Sequence, residues 1–353
     1  MPSHSIIKAS NASITEATAP KVAVFVGATA GIAKAALTLL VSKRTPIKVY
    51  VAGRDGKRHE PYLQELRVLN PEASLVWLEG KVSLLSEIRR LCDEIKSHES
   101  RLDLLFLSAG YLPFSGRVET SEGFETSTVL NFWGRALFAE LLLPLLRVEP
   151  RPSPAYAPRV ITILAAGDET AGIPLDDLDQ RRPENFSVPK IAAQHATLNT
   201  LYFSVLASRA ENRDVVFVHN HPGVVPTGIT RKNWGNDGSS WWSWWSWVVP
   251  LIVRLLEPLL HAFMGTSIEE SAERSLYLMT AAEYGGSGVQ SRANGSGPPR
   301  GLTDERNESG GLFCVSKNME CIQPNEGVVA QLRAKKAYDI VWDETRKVMQ
   351  PYM

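Results

Sequence analysis

The segment Gly27-Ala28-Thr29-Ala30-Gly31-Ile32-Ala33 has the residue types and spacing to hold a phosphate. Gly27 lets the chain turn sharply, and Gly31, having no Cβ, lets the backbone come close to an anion. The alanine- and leucine-rich run that follows reads as a helix, whose first N–H groups and positive dipole end would face that anion. The run before it, Val22 to Val26, reads as a buried strand. This placement between strand and helix turns two glycines into a candidate dinucleotide loop, with a ligand-free tight turn as the alternative. A second candidate is Ala52-Gly53-Arg54-Asp55. NAD-preferring folds carry an acidic residue near here for the ribose 2′-hydroxyl. Arg54 instead offers a planar cation suited to a 2′-phosphate, with Lys57 and Arg58 just beyond. The reading is NADP(H) over NAD(H), with a solvated loop arginine as the alternative.

These residues need a scaffold, and the rest of the chain supplies one in pattern. Short apolar runs at Ile47–Gly53, Ser74–Glu79, Leu102–Gly110, Arg159–Gly167 and Asp214–Gly223 alternate with helical stretches near 60–70, 84–97, 121–147 and 187–209. GLFCVS near 311 reads as a last strand and 327–348 as a closing helix. Strand–helix alternation of this kind implies βαβ units. The expected fold is α/β: a Rossmann-type, doubly wound parallel sheet of about seven strands with helices on both faces. One domain over 21–350 is expected, after a flexible tail at 1–20. It would carry a tryptophan-rich insertion at 231–265 and a flexible Gly/Ser/Pro-rich excursion at 285–311.

Composition excludes several classes. Thirty-eight basic residues balance thirty-eight acidic ones, so charge gives no reason to expect a nucleic-acid partner. Three scattered cysteines are too few for a disulfide framework or a structural zinc site, and no metal is expected. The first twenty residues lack the apolar core of a signal peptide, and a cytoplasmic location is expected. Trp241–Phe263 holds five of the nine tryptophans. Peripheral membrane contact through it is possible but not favoured. A lid over an apolar substrate pocket, or a helix packed on the body, is preferred, because basic support for membrane binding is sparse.

The motifs together resemble the short-chain dehydrogenase/reductase family, and in detail its fungal members from secondary-metabolite gene clusters. Gly27 and Gly31 match the family's glycine loop, with Ala33 at the third glycine, and VFVGATAGI, LNPE, LLFLSAG and VWDET occur in order. The resemblance implies cofactor contacts from Gly27, Thr29, Gly31, Ile32 and Arg54. It implies others from Ala109 and Gly110 of the Ser-Ala-Gly segment, and from Pro222, Gly223, Val224 and Thr227 of the segment P-G-x-x-x-T. Lys81 stands where the family has an adenine-contacting Asp.

The resemblance also implies four catalytic positions, of which this chain keeps two. Lys190 matches the family's Lys and Asn131 its Asn, both also cofactor-side residues. Phe186 stands at the Tyr position, four residues before Lys190, and Ala165 at the Ser position. Phenylalanine cannot move a proton. Asp168, Glu169, Thr170, Ser187 and His221 are candidate substitutes, while His195 reads as structural. The implied function is an NADP(H)-dependent oxidoreductase acting on an apolar ketone or alcohol, as a monomer or homodimer. A redox-neutral cyclase or isomerase with the cofactor as scaffold, or a non-catalytic cofactor-binding homologue, remains open.

Overall fold

Val22–Val26 forms β1, and its side chains alternate between two separate cores: Val22, Val24 and Val26 in one, Ala23 and Phe25 in the other. A strand buried on both faces needs helices on both faces, and this sheet has them. The computed structural model describes residues 2–149, 155–225, 265–284, 288–290 and 311–353. The tryptophan-rich segment apart from Gly265, the expected contact Thr227, and most of the excursion at 285–311 lie outside the described residues.

The remaining strands are β2 (Ile47–Gly53), β3 (Ala73–Glu79), β4 (Leu104–Leu107), β5 (Arg159–Ile163), β6 (Val216–Asn220), β7 (Gly311–Val315) and β8 (Cys321–Ile322). Their order is β3-β2-β1-β4-β5-β6-β7-β8, parallel except for the antiparallel pair β7–β8. The sheet thus has one strand more than expected. The extra strand is two residues long, too short for a periodicity signal. The order reverses direction between β1 and β4, so a crevice opens beyond the carboxyl ends of those strands.

The helices among the described residues are α1 (His4–Ala12), α2 (Gly31–Val41), α3 (Gly56–Leu69), α4 (Leu85–His98), α5 (Thr126–Leu146), α6 (Val188–Ser208), α7 (Ile268–Thr280), α8 (Glu326–Ala334) and α9 (Ala337–Met349). Helix α5 has a π-helical turn at Val129–Trp133. It is long and apolar enough to cross a membrane by length and composition, but 83% of its apolar window is buried inside the protein. It is a core helix.

The N-terminal residues depart from the expected flexible tail. Ser3 caps α1 by accepting the Ile6 amide at 3.3 Å, and Ile7 is 2% exposed. Asn11 Nδ2 donates to the carbonyl of Glu273 on α7 at 2.9 Å. The order comes from α7, more than 250 residues away in the chain. A nine-residue helix is marginal alone and gave no strong sequence signal. Replacing Ile7 with Ala is expected to lower unfolding stability by about 2–3 kcal/mol in urea titration. A tail without tertiary contacts would give a change within about 0.5 kcal/mol.

Candidate active site

The glycine turn sits at the reversal point. Gly27 has φ +94°, and a Cβ there would lie 2.5 Å from the backbone nitrogen of Ala109 at the end of β4. β1 and β4 can approach this closely only because residue 27 is glycine. Gly31 opens α2 with φ +60°, Ala30 gives no side-chain cap, and the first turn holds no acidic residue. The first N–H groups of α2 are therefore left without a side-chain acceptor of the helix's own cap. Thr29 is half-buried, and Ile32 is buried against the neighbouring core. These features fit a dinucleotide phosphate on an observation of the structure itself.

Arg54, Lys57 and Arg58 are exposed at the exit of β2. Sequence reasoning missed the residue that shapes this loop. Glu79, at the end of β3, accepts the amides of Asp55 and Gly56 at 2.8 Å each and the Trp77 indole N–H at 2.8 Å. It caps α3 from another strand because Asp55, in a left-handed conformation, does not. The Gly56 amide leads in holding the Glu79 carboxyl below its ordinary range. Lys81 is exposed.

Asn131 lies in the π-helical turn and is 2% exposed. Its Nδ2 donates to the Tyr111 carbonyl at 3.0 Å and to His195 Nδ1 at 3.1 Å. Its Oδ1 is buried without a partner, and a Cβ on Gly110 would lie 2.3 Å from it. Ala109 and Gly110 thus line a close approach that Asn131 enforces.

Lys190 does not join this group. It is exposed in the first turn of α6, and its Nζ donates to the Glu184 carbonyl at 2.6 Å. Phe186 is not on the helix, but precedes it in extended conformation. Phe186 and Lys190, four residues apart as the family's pair is, therefore do not share a helix face. The α6 residues that meet Asn131 are His195, through its ring, and Asn199, whose Nδ2 donates to the Asn131 carbonyl at 2.9 Å. The lysine match misled because it was scored by residue type, whereas which turn of α6 faces α5 depends on where the helix starts.

A buried cation missed in the sequence holds the centre. Arg135 donates from Nε to the Leu130 carbonyl, from Nη1 to Thr162 Oγ1 (2.6 Å) and the Ile163 carbonyl (2.8 Å), and from Nη2 to the Ala109 carbonyl (2.9 Å). Thr162 in turn donates to Asn199 Oδ1 at 3.3 Å. Burial pulls the Arg135 guanidinium down to about 9, still charged at neutral pH. His195 extends the network outward. Because Asn131 donates to Nδ1, Nε2–H must donate to Thr128 Oγ1 (3.1 Å), which donates to Glu125 Oε2 (2.9 Å).

A second network lies under the loop after β5. Thr200 on α6 donates to Glu169 Oε1 at 2.6 Å and accepts from His219 Nδ1 at 2.9 Å, and His219 Nε2 accepts the Ala165 amide at 3.4 Å. Glu169 also accepts the Gly167 amide at 2.9 Å. Glu169, His219 and Cys314 bring one potential ligand atom each within 4.8 Å of one another. The Thr200 hydroxyl stands among them, 3.9 Å from Cys314 Sγ, and closes the group as hydrogen bonds. Ala165 itself is half-buried and carries no oxygen. The Thr170 hydroxyl accepts the Gly172 amide inside its own loop.

Two of the candidate substitutes do meet. His221, the first residue after β6, places Nε2 3.4 Å from Asp168 Oδ2 on the loop after β5. Its Nδ1 accepts the Gly223 amide at 2.9 Å. Gly223 has φ +80°, and the 44%-exposed Val224 accepts the Thr266 amide.

A doubly wound sheet with a glycine turn at its reversal point defines a dinucleotide-binding α/β protein. A match to short chain dehydrogenase spans residues 21–152. The chain is 31% identical to the NmrA-like family domain-containing oxidoreductase notO of Aspergillus sp. (strain MF297-2), over 97% of this chain and 93% of that protein. It is 30% identical to Oxidoreductase AN1596 of Emericella nidulans, over 97% and 96%. In structure it is similar to the Pseudomonas aeruginosa RhlG/NADP active-site complex, with a TM-score of 0.53 at 20% identity over 75% of this chain and 91% of that one. The chain belongs to the short-chain dehydrogenase/reductase family and is an oxidoreductase of that family.

The two buried imidazoles give a pH prediction. Burial leads in pulling His195 and His219 down from 6.5 to about 3, so both are neutral when folded. The unfolded chain binds these protons first, so stability falls as pH drops from about 6.5 towards about 3. The slope is about 1 kcal/mol per pH unit for each imidazole. Urea titrations across that window should show it, and His195→Gln should remove about half of this histidine component. An unchanged slope in the variant would mean that His195 is protonated in the folded protein.

Proposed function

We propose that this chain is an NADP(H)-dependent oxidoreductase acting on an apolar ketone or alcohol in secondary-metabolite biosynthesis, in the cytoplasm. The observation that carries the reading is the cradle formed by Gly27, Gly31 and the uncapped start of α2, with Arg54, Lys57 and Arg58 at the exit of β2. Glu79 supports it by fixing the loop that carries Arg54. The same class of cofactor is bound in the RhlG/NADP complex, which shares the fold. When bound, the cofactor supplies or accepts a hydride. Gly27, Gly31 and Ile32 would hold its pyrophosphate, Arg54 its 2′-phosphate, and Ala109 and Gly110 the face beside Asn131. Pro222 and Gly223 would approach it from β6.

A redox-neutral cyclase or isomerase is the second reading. The absence of a side-chain hydroxyl at position 165, at the end of β5, favours it. NADPH consumption with substrate separates the two.

Calorimetry on the wild type should show NADPH binding more tightly than NADH. Arg54→Ala should weaken NADPH roughly tenfold to a hundredfold, the loss of a charge-assisted hydrogen bond, and leave NADH nearly unchanged. Equal affinity of the wild type for both cofactors would overturn the NADP(H) assignment.

A further inference from the structure

The geometry points to His221 as the catalytic donor that holds the substrate oxygen, in the place left by the missing hydroxyl at position 165. The inference rests on the oxidoreductase reading above and deepens it.

Ligands of a doubly wound sheet bind beyond the carboxyl ends of its strands. His221 stands there, anchored by its own amide, which donates to the Val315 carbonyl at 2.8 Å. Its side chain is 26% exposed, whereas His219, two residues earlier, is 0% exposed with both ring nitrogens committed. Three other polar side chains near this edge point elsewhere. Thr200 faces inward to Glu169 and His219, Thr170 accepts within its loop, and Lys190 turns away to Glu184.

The Gly223 amide fixes the tautomer. A backbone N–H only donates, so Nδ1 must be the bare nitrogen and Nε2 must carry the hydrogen. A neutral imidazole N–H is a competent electrophile toward a carbonyl oxygen. Asp168 Oδ2 lies 3.4 Å from Nε2 without forming a hydrogen bond to it, and the Asp168 side chain is itself 60% exposed. An incoming substrate oxygen can therefore displace it without breaking a buried pair.

In the reducing direction the carbonyl carbon would take up the hydride that the cofactor supplies when bound. The carbonyl π pair moves onto oxygen, where the His221 Nε2–H bond stabilises the developing charge. The ring keeps its hydrogen, because imidazole is too weak an acid to give it up. Solvent water, reaching the oxygen past exposed Asp168, delivers the proton that completes the alcohol, and the hydroxide left is neutralised in bulk.

His221→Asn and His221→Gln separate this role from a structural one. Asparagine keeps an acceptor near Nδ1 for the Gly223 amide and loses the Nε2–H donor. Glutamine keeps a donor near Nε2 and loses the acceptor. NADPH affinity is read by calorimetry, and NADPH-driven reduction is read with acetophenone, benzil and menadione. His221→Asn should leave the NADPH Kd within about twofold and lower kcat roughly 10²–10³-fold, the usual cost of one oxyanion donor. His221→Gln should weaken NADPH several-fold and keep kcat within about tenfold. Wild-type kcat in His221→Asn, or equal losses in both variants, would overturn the role. A wild type that binds NADPH and reduces none of the three probes would also overturn it. A wild type that fails to bind NADPH overturns the cofactor reading instead.

Discussion

The interaction on which the site depends is the buried Arg135 guanidinium. Taking a cation out of water costs several kcal/mol, so it is tolerable only when acceptors at good geometry surround it. The fold meets that demand with the carbonyls of Ala109 and Ile163, at the carboxyl ends of β4 and β5, with Thr162, and with Leu130 in the π-helical turn of α5. One side chain thus joins two neighbouring strands to the helix that crosses them. The π-helical turn belongs to the same arrangement. Its looser spacing presents the Leu130 carbonyl to Arg135 and the Asn131 carbonyl to Asn199, so the helix gives up regularity where the site needs acceptors.

From that cation the polar layer spreads along the face of the sheet that α6 covers. Thr162, His219 and Cys314 sit side by side in register on β5, β6 and β7. Their partners Asn199 and Thr200 are consecutive on α6. Donors and acceptors match down the line. Both buried imidazoles can stay neutral because one ring nitrogen accepts and the other donates. This layer leaves few buried polar groups idle near the reversal point. Asn131 Oδ1, beside Gly110, is one that has no partner among the described residues, on the side where the cofactor cradle opens.

The parallel sheet and its glycine turn were legible because they rest on local rules. Two-faced burial gives continuous apolar runs, and a sharp turn into a helix needs glycine at positions such as 27 and 31. Arg135, Thr200 and Glu79 were not legible. Each acts on a partner from another element: Arg135 on Ala109 and Ile163, Glu79 on Asp55 and Gly56. No spacing in one segment encodes such pairings. Lys190 failed for a related reason. Its spacing from Phe186 was right for a helix face, but the helix starts at Val188 and faces α5 with a later turn. The helix of residues 4–12 is likewise ordered by a surface that the sequence supplies only after residue 268.

The departure from the family's residues does not empty the site of chemistry, because a donor's place matters more than its type. A hydroxyl at position 165 would serve a carbonyl by presenting an O–H group at the sheet's carboxyl edge. The backbone there is still held, by His219 on the Ala165 amide and by Glu169 on the Gly167 amide. What the side chain at 165 does not offer, the exit of β6 can, since Gly223 orients the His221 ring with its hydrogen outward over the same loop. Such a donor differs from a tyrosine in one respect that bears on mechanism. It polarises an oxygen without surrendering a proton, so proton delivery passes to solvent at the exposed Asp168.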